Sequence, residues 1–289
     1  MDSGGIPAAD FVADTRVEAA GAGRYRCELS DRWDAAFYPW GGVVVAIALR
    51  AAESELGDPA QALRTATAVF VSPVPAGRVE VQAQRLRVGR TGSQLLVHAR
   101  AAGSADGGLT LVAAFGRERE GFAFTDAEPP EAPPPEQCPG RSEPPPGFAR
   151  FRARFLEQVE MRIVRVHAPW ETGWEAGRAE ALRWMRFRCT PRLADGTLDP
   201  LALVALSDTM PPAIGQRLGP GAPAFYAPSI DLTVHRFAST REEWLLVRTR
   251  CRHAGEGYAS GECEIWSRDG RLLLYATQRM LLRMGALEG

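Results

Sequence analysis

Two segments of the sequence, one in each half of the chain, are predicted helices that are apolar on every side. The first covers residues 43–52 and runs on to residue 56, directly after two glycines. The second covers residues 198–210, with Asp199 as a natural N-cap and Pro200 at the first helical position. A helix that is apolar all round must be enclosed by other elements. The fold must therefore surround each of these two segments.

Four strand-like segments follow each predicted helix, and glycines and prolines mark the turns between them. Alternation of inward and outward residues is clear at Val79, Val81 and Ala83. The predicted strands cover residues 65–71, 79–88, 94–102 and 109–117 in the first half, and residues 229–237, 244–252, 258–266 and 272–283 in the second. A curved antiparallel sheet wrapped around a central helix encloses that helix, and this arrangement is the hotdog fold.

A proline-rich stretch over residues 128–147 separates the two halves. Such a stretch cannot supply the donors of a sheet or helix, so we expect an extended, exposed connector. The predicted organisation is an N-terminal hotdog over residues 1–125, a linker over residues 126–147 and a C-terminal hotdog over residues 148–289. Pairing the open sheet edges of two hotdogs covers both edges. The predicted fold class is therefore α+β, a double hotdog of two tandem repeats, each with a long central helix. The alternative is two unrelated α+β domains.

Composition excludes several classes of function. The net charge is -1, so the chain carries no basic field for nucleic acid or an anionic membrane. Five cysteines without a CxxC pair, and four histidines without metal-ligand spacing, argue against a disulfide framework and a metal site. No apolar run is long enough to span a bilayer, and residues 1–5 show no signal-peptide pattern. We expect a soluble cytoplasmic protein without metal.

Asp208 is the first candidate for a functional residue. It stands at the end of an otherwise apolar predicted helix, where a carboxylate opposes the helix dipole. Two interpretations are equally open. Asp208 either belongs to a functional site or hydrogen-bonds the chain that leaves the helix. Ser229 and Thr233 lie on the next predicted strand, and Gln278 lies on the last one. Taken singly, polar residues on strands are usually solvent-facing or satisfied by the backbone.

Motifs along nearly the whole chain resemble the acyl-CoA thioesterase II (TesB-like) family. The resemblance depends on the order and spacing of the motifs together rather than on any one of them. The motifs are Phe37-Tyr-Pro-Trp-Gly-Gly42, Arg87-Val-Gly-Arg90, the proline-rich bridge, Leu206-Ser-Asp208, Pro211-Pro-Ala213, Ser229-Ile-Asp-Leu-Thr233, Glu243-Trp-Leu-Leu246 and Gln278. The resemblance implies hydrolysis of an acyl-CoA, or of another acyl thioester, without a cofactor. It also implies a homodimer or higher oligomer.

The resemblance further implies that Asp208, Ser229 and Gln278 are the catalytic residues and orient a water molecule. A thiolate leaves easily near neutral pH, so the reaction needs a positioned nucleophile and a donor for the developing oxyanion. Two departures from the family pattern stand out. Serine replaces the frequent threonine at position 229, and Tyr38 stands where some members have histidine.

Substrate binding is assigned to Gly41, Gly42 and Thr233. Backbone N–H groups at the start of the first helix are expected to hold the thioester carbonyl oxygen. The alternative is that Gly41 and Gly42 only allow close packing. The alternative functions are a non-catalytic acyl-thioester-binding or scaffold protein, and a biosynthetic enzyme acting on a carrier-protein thioester. A site that had lost hydrolysis would be expected to lose Asp208 and Gln278, and this sequence contains both residue types.

Overall fold

The computed structural model of the chain describes residues 8–145 and 153–285. The predicted boundary between the linker and the second half, at residues 147 and 148, lies outside the described residues. Residues 1–5, on which the expectation about a signal peptide rests, also lie outside them.

Four helices and fourteen strands are assigned in the described ranges. The helices are α1 (Phe11–Asp14), α2 (Gly41–Leu56), α3 (Pro200–Ser207) and α4 (Pro212–Leu218). The strands of the first half are β1 (Glu18–Ala19), β2 (Arg24–Leu29), β3 (Ala62–Phe70), β4 (Gly77–Val88), β5 (Gly92–Ala101) and β6 (Leu109–Gly116). Those of the second half are β7 (Val159–Arg165), β8 (Glu180–Phe187), β9 (Phe225–Tyr226), β10 (Asp231–Arg236), β11 (Leu245–Gly255), β12 (Tyr258–Trp266), β13 (Leu272–Leu281) and β14 (Arg283–Met284).

Twelve of the strands form one antiparallel sheet in the order β1-β2-β4-β5-β6-β3-β10-β13-β12-β11-β8-β7. This order is symmetric about its centre, because each half contributes the same succession of strands outward from the β3–β10 pair. Thr67 of β3 and Thr233 of β10 face each other at the middle of that pair. A single continuous sheet therefore joins the two halves and leaves only β1 and β7 at its edges.

The two halves also share an irregularity of strand pairing. Between equivalent pairs, β3 and the chain entering β10 each advance four residues while their partner strands advance three. One extra residue on one strand is a β-bulge, which bends the strand locally. The equivalent pairs are Leu63–Phe115 with Ser229–Met280, and Thr67–Val112 with Thr233–Thr277. This register makes Leu63 the counterpart of Ser229.

Helix α2 is enclosed by the sheet and by α3, as its apolar sequence requires. Most of its residues are buried, including all those from Gly42 to Leu49. It packs against β4, β5 and β6 on one side and against α3 on the other. The apolar all-round pattern therefore correctly predicted a helix at the centre of the first half.

Helix α3 is shorter than the sequence predicted, because it ends at Ser207 instead of Met210. At this end, two side-chain hydroxyls donate hydrogen bonds to carbonyl groups of the helix. The hydroxyl of Ser207 donates to the carbonyl of Val204, and that of Thr209 donates to the carbonyl of Leu206. Pro211 and Pro212 cannot donate to a continuing helix, and α4 begins only at Pro212. The expected long central helix of the second half is therefore an eight-residue helix.

The proline-rich stretch is not an exposed connector over its whole length, which corrects that expectation. Most of its described residues, from 128 to 145, are exposed, but Pro135 and Cys138 are buried against the outer face of the second half. The indole of Trp184 donates to the carbonyl of Pro133 at 2.8 Å. Cys138 packs in a cluster with Leu182, Trp184, Leu246 and Trp266. Large apolar side chains on that face thus hold the stretch in place.

The described helices include none that is long and apolar enough to cross a membrane. All five cysteines are free thiols, and Cys27, Cys138 and Cys263 are buried.

Candidate active site

The N-terminus of α2 lies against the C-terminal end of α3, and glycine permits this approach. A Cβ atom on Gly42 would lie 2.5 Å from the carbonyl oxygen of Ala205, which is backbone and cannot swing away. A Cβ atom on Gly41 would lie 2.8 Å from Oδ2 of Asp208 and 3.0 Å from the ring of Phe70. The Gly-Gly pair is therefore a requirement for close packing between the two helices.

Asp208 is the C-cap residue of α3 and points its carboxylate at the start of α2. The N–H of Gly42 donates to Oδ2 of Asp208 at 2.8 Å. The other oxygen, Oδ1, accepts from the hydroxyl of Ser229 at 3.1 Å and from Nε2 of Gln278 at 2.5 Å. A carboxylate at a helix N-terminus is favourably placed with respect to the helix dipole. The start of α2, which belongs to the first half, therefore stabilises the negative charge of Asp208.

Ser229 and Gln278 come together because their segments are neighbours in the sheet. Ser229 forms an isolated bridge with Met280, two residues beyond Gln278 on β13. Gln278 faces inward and only 3% of its surface is exposed. Its Nε2 also donates to the hydroxyl of Ser229, and its Oε1 has no partner within the described residues. The carboxylate, the hydroxyl and the amide therefore form one connected group in the interior.

Burial raises the pKa of Asp208 from its ordinary value to about 6. Hydrogen bonds from Gln278, Ser229 and Gly42 act in the opposite direction and favour the charged form. The desolvation effect is the largest of these, so it sets the direction of the shift. A carboxylate with a pKa near 6 is mostly ionised at pH 7 and can still accept a proton, as a general base must.

Two side chains hold the backbone carbonyl groups of Asp208 and of the residue that follows it. The indole of Trp40 donates to the carbonyl oxygen of Asp208 at 2.8 Å. The guanidinium of Arg183, which is 3% exposed, donates to the carbonyl oxygen of Thr209 at 2.7 Å. Burial lowers the pKa of Arg183 to about 10. Sequence reasoning missed Arg183, because nothing in its segment of β8 distinguishes an inward arginine from an outward one.

Aromatic residues lie near the site, since Tyr226 is close enough to Asp208 for the two groups to interact electrostatically. The rings of Phe37 and Tyr226 meet edge to face with centroids 5.4 Å apart. Burial raises the pKa of Tyr226, and Arg283 opposes this shift, while Tyr38 and Asp208 add to it. Phe37 and Tyr38 remain substantially exposed. Tyr226 was not predicted from sequence, since it lies in a short strand outside the recognisable repeats.

Thr233 is the one predicted site residue that the structure does not bring to this group. Its neighbours Leu232 and Val234 are buried and face inward, so Thr233 faces the opposite side of the sheet. There its hydroxyl lies 3.1 Å from that of Thr67. Thr233 therefore lies apart from this group, and its assignment to substrate binding stays a prediction.

A carboxylate, a hydroxyl and an amide can orient a small polar molecule and accept a proton from it. Within residues 8–145 and 153–285, no group of three or more His, Cys, Asp or Glu is placed to hold a metal ion. The architecture and this group together define a hotdog-fold protein with a carboxylate at the meeting point of its two helices.

Solved structures of similar fold cover almost the whole chain. A hot dog fold protein of unknown function from Alicyclobacillus acidocaldarius has a TM-score of 0.80 and 24% identity, over 96% of this chain and 98% of its own. The acyl-CoA thioesterase II TesB2 from Mycobacterium marinum has a TM-score of 0.73 and 23% identity, over 96% and 99%. The tesB protein of Mycobacterium avium subs paratuberculosis has a TM-score of 0.71 and 20% identity, over 94% and 98%. These similarities establish the hotdog fold.

Profiles of two domains of one family match the sequence itself. Residues 29–116 match the acyl-CoA thioesterase N-terminal domain, and residues 135–282 match the acyl-CoA thioesterase C-terminal domain. No curated protein matches the chain. Because the second match alone covers more than half of the chain, the protein belongs to the acyl-CoA thioesterase family and is a thioester hydrolase.

Proposed function

We propose that the protein hydrolyses an acyl-CoA to the free acid and CoA, using a water molecule oriented by Asp208, Ser229 and Gln278. The observation that carries this proposal is the carboxylate of Asp208, which accepts hydrogen bonds from Ser229 and Gln278 of its own half and from Gly42 of the other. Family membership supplies the thioester as the substrate class.

Each of the three side chains has a distinct role in this proposal. Asp208 takes a proton from water as the oxygen attacks the thioester carbonyl carbon. Ser229 and Gln278 hold the carboxylate in one orientation and contact the same water. The tetrahedral intermediate then collapses, the C–S bond breaks, and CoA leaves as a thiolate that is protonated in solvent. No cofactor is required for these steps.

The developing oxyanion needs a donor that is not already engaged. The N–H of Gly42 is occupied by Asp208, so we assign the oxyanion to the N–H of Gly41. This group stands at the first position of α2 and has no acceptor within the described residues. A backbone N–H at a helix start is a suitable donor for negative charge. Gly42 would then position the base, and Gly41 would bind the substrate oxygen.

We further propose that the fold is a double hotdog with one hydrolytic site per chain. The symmetric strand order and the shared bulge support two tandem repeats, with boundaries near residues 1–125, 126–147 and 148–289. The same register gives Leu63 and Ala113 as the counterparts of Ser229 and Gln278. Neither side chain can orient water. Sedimentation of the purified protein would test the expected homodimer or higher oligomer.

Release of free thiol from a panel of acyl-CoAs of different chain length tests the proposed reaction. Turnover of any member at a rate well above the uncatalysed rate supports it. A matched carrier-protein thioester with the same acyl group is the second arm of the experiment. Cleavage of the carrier-protein thioester alone would change the proposed substrate, and cleavage of neither would contradict hydrolysis by this chain.

A further inference from the structure

A polar cleft opens at the end of the helix layer opposite to Asp208. Its volume is about 400 Å³, and it is lined by Ala60, Ala62, Arg64, Arg117, Glu118, Arg236 and Ser239. Arg64 and Phe70 lie six residues apart on β3, which corresponds to about 20 Å. Since Phe70 adjoins Gly41, the cleft and the proposed active site are at opposite ends of the central strand pair.

Two arginines of this cleft have no counter-charge in contact. Arg117 is paired with Asp58 at 2.7 Å. Arg64, in contrast, donates to the carbonyl of Gly116 at 3.1 Å, and Arg236 donates to the hydroxyl of Ser239. Within the described part of the chain, neither Arg64 nor Arg236 has a carboxylate oxygen within ion-pair distance. Glu118 also lines the cleft and Asp58 pairs with Arg117, so the three arginines leave the cleft with a net positive charge.

Arg236 is also incompletely hydrogen-bonded. Its Nε is buried and has no partner within the described residues. Burial lowers the pKa of Arg236, and the like charge of Arg64 lowers it further, while Glu53 and Glu118 oppose the shift from a distance. Glu53 is already paired with Arg50 at 3.3 Å, and burial raises its pKa to about 7. Arg236 as a whole is half-buried, and a buried donor without an acceptor, such as its Nε, is unfavourable unless a ligand supplies the acceptor.

The abundance of arginine in this protein does not explain the arrangement. The chain contains no lysine, so every cationic side chain of this length is an arginine. On the outer face of the second half, however, the arginines are paired with carboxylates. The pairs there are Arg248 with Glu264, Arg250 with Glu262 and Glu264, and Arg252 with Glu262. The cleft differs from that face because Arg64 and Arg236 have no carboxylate within ion-pair distance in the described residues.

We infer that this cleft is a binding site for a phosphoryl group, held between Arg64 and Arg236. A guanidinium presents its donors in a planar fork that matches two phosphate oxygens, and the unpaired Nε of Arg236 would become one of the donors. The phosphoryl group belongs either to the nucleotide part of a CoA molecule or to a separate phosphate ligand. This inference does not depend on the proposed catalytic residues.

Thermal unfolding with inorganic phosphate as the probe tests the site. With a Kd of about 1 mM, about 20 mM phosphate should raise the Tm of the wild type by about 3 °C, relative to chloride at equal ionic strength. The rise should disappear in Arg236→Gln and in Arg64→Gln. Arg87→Gln, at an exposed position on β4, is the matched control and should respond like the wild type. If Arg236→Gln does not fold in chloride, Arg64→Gln tests the site alone.

No phosphate-specific rise in the wild type, or an equal rise in all four proteins, would overturn the inference. Calorimetric titration of CoA then distinguishes the two sources of the phosphoryl group. Weakening of CoA binding about tenfold in Arg236→Gln, with a parallel rise in KM, assigns the cleft to the substrate's nucleotide. An unchanged KM with lost phosphate binding assigns it to a separate ligand.

Discussion

Replacing Asp208 with asparagine removes one acceptor oxygen while keeping the shape of the side chain. The carboxylate accepts from Gly42 at 2.8 Å, Ser229 at 3.1 Å and Gln278 at 2.5 Å. An asparagine has one oxygen for these donors, and its amide nitrogen must face one of them. The variant therefore loses both the proton acceptor and part of the orientation of the site.

The expected loss of rate is large and has a definite pH dependence. Removal of a general base typically lowers kcat by about 100-fold or more, which corresponds to about 3 kcal/mol of transition-state stabilisation. Since the pKa of Asp208 is raised to about 6, kcat/KM of the wild type should rise with pH up to about 6 and level off above it. The residual activity of Asp208→Asn should lack this inflection.

Stability should change in the opposite sense to activity. The folded-state pKa of Asp208 is raised above its ordinary value of 3.8, so the folded protein binds the proton more tightly than the unfolded chain. The free energy of unfolding contributed by this group therefore falls as the pH rises from about 4 to about 6. The difference between the folded-state and ordinary pKa values corresponds to a change of at most about 3 kcal/mol in the free energy of unfolding. At pH 8, the urea midpoint of Asp208→Asn should accordingly be equal to or higher than that of the wild type.

The assay is thiol release from the best acyl-CoA of the panel, measured from pH 5 to 9, together with urea unfolding of the same preparations. Asp106→Asn, an exposed aspartate in the turn before β6, is the matched control and should change neither property. Wild-type rates in Asp208→Asn would refute the catalytic role. A variant that loses stability and activity together at pH 8 would instead favour the alternative in which Asp208 only caps the helix.

Three further substitutions test the packing that supports the site, each measured by urea unfolding with the wild type as reference. Gly42→Ala should destabilise the fold by about 3 kcal/mol, because its methyl group meets backbone of α3, and an unchanged midpoint would contradict this contact. Arg50→Met should cost about 3 kcal/mol, since it leaves the fully buried Asp199 unpaired, whereas an exposed pair would give less than about 1 kcal/mol. Trp184→Phe should cost about 1 kcal/mol through the lost bond to Pro133, and no change would indicate that the proline-rich stretch is held by apolar contacts alone.

Local pattern was sufficient to predict the central elements of both halves. The eight predicted strands correspond to β3–β6 and β10–β13, with ends that differ by a few residues. These strands have clear alternation and turn residues at their ends. Strands β2, β7 and β8 were not delimited, because they stand before the helices or near the sheet edges, outside the repeated pattern.

The docking of the proline-rich stretch could not be predicted from its own composition. Proline content indicates an extended chain and a lack of donors, but it does not say what the chain lies against. The cause is the surface that the stretch contacts, where Trp184 of β8 and Trp266 of β12 lie on either side of Leu246 of β11. Their positions become adjacent only when the strand order is known.

The candidate site could be predicted only in part, because it also depends on which strands are neighbours in the sheet. Asp208 was recognisable as a charge at the end of an apolar helix, whereas Ser229 and Gln278 had no local signal and entered through the family resemblance. They adjoin Asp208 because β10 pairs with β13 and because α3 ends three residues early. The position of Thr233 on the opposite face of the sheet could not be predicted, because the bulge shifts the inward residues of the strand relative to Ser229.

The carboxylates at the two ends of the paired helices α2 and α3 have different partners. At one end, the start of α2 donates to Asp208. At the other end, the start of α3 is capped by Asp199, whose carboxylate is buried and paired with Arg50 of α2. A buried carboxylate that already accepts from a guanidinium and from the N–H of Leu201 is not free to orient a water molecule. Restoring a hydroxyl and an amide at Leu63 and Ala113 would thus still leave that end without a free carboxylate.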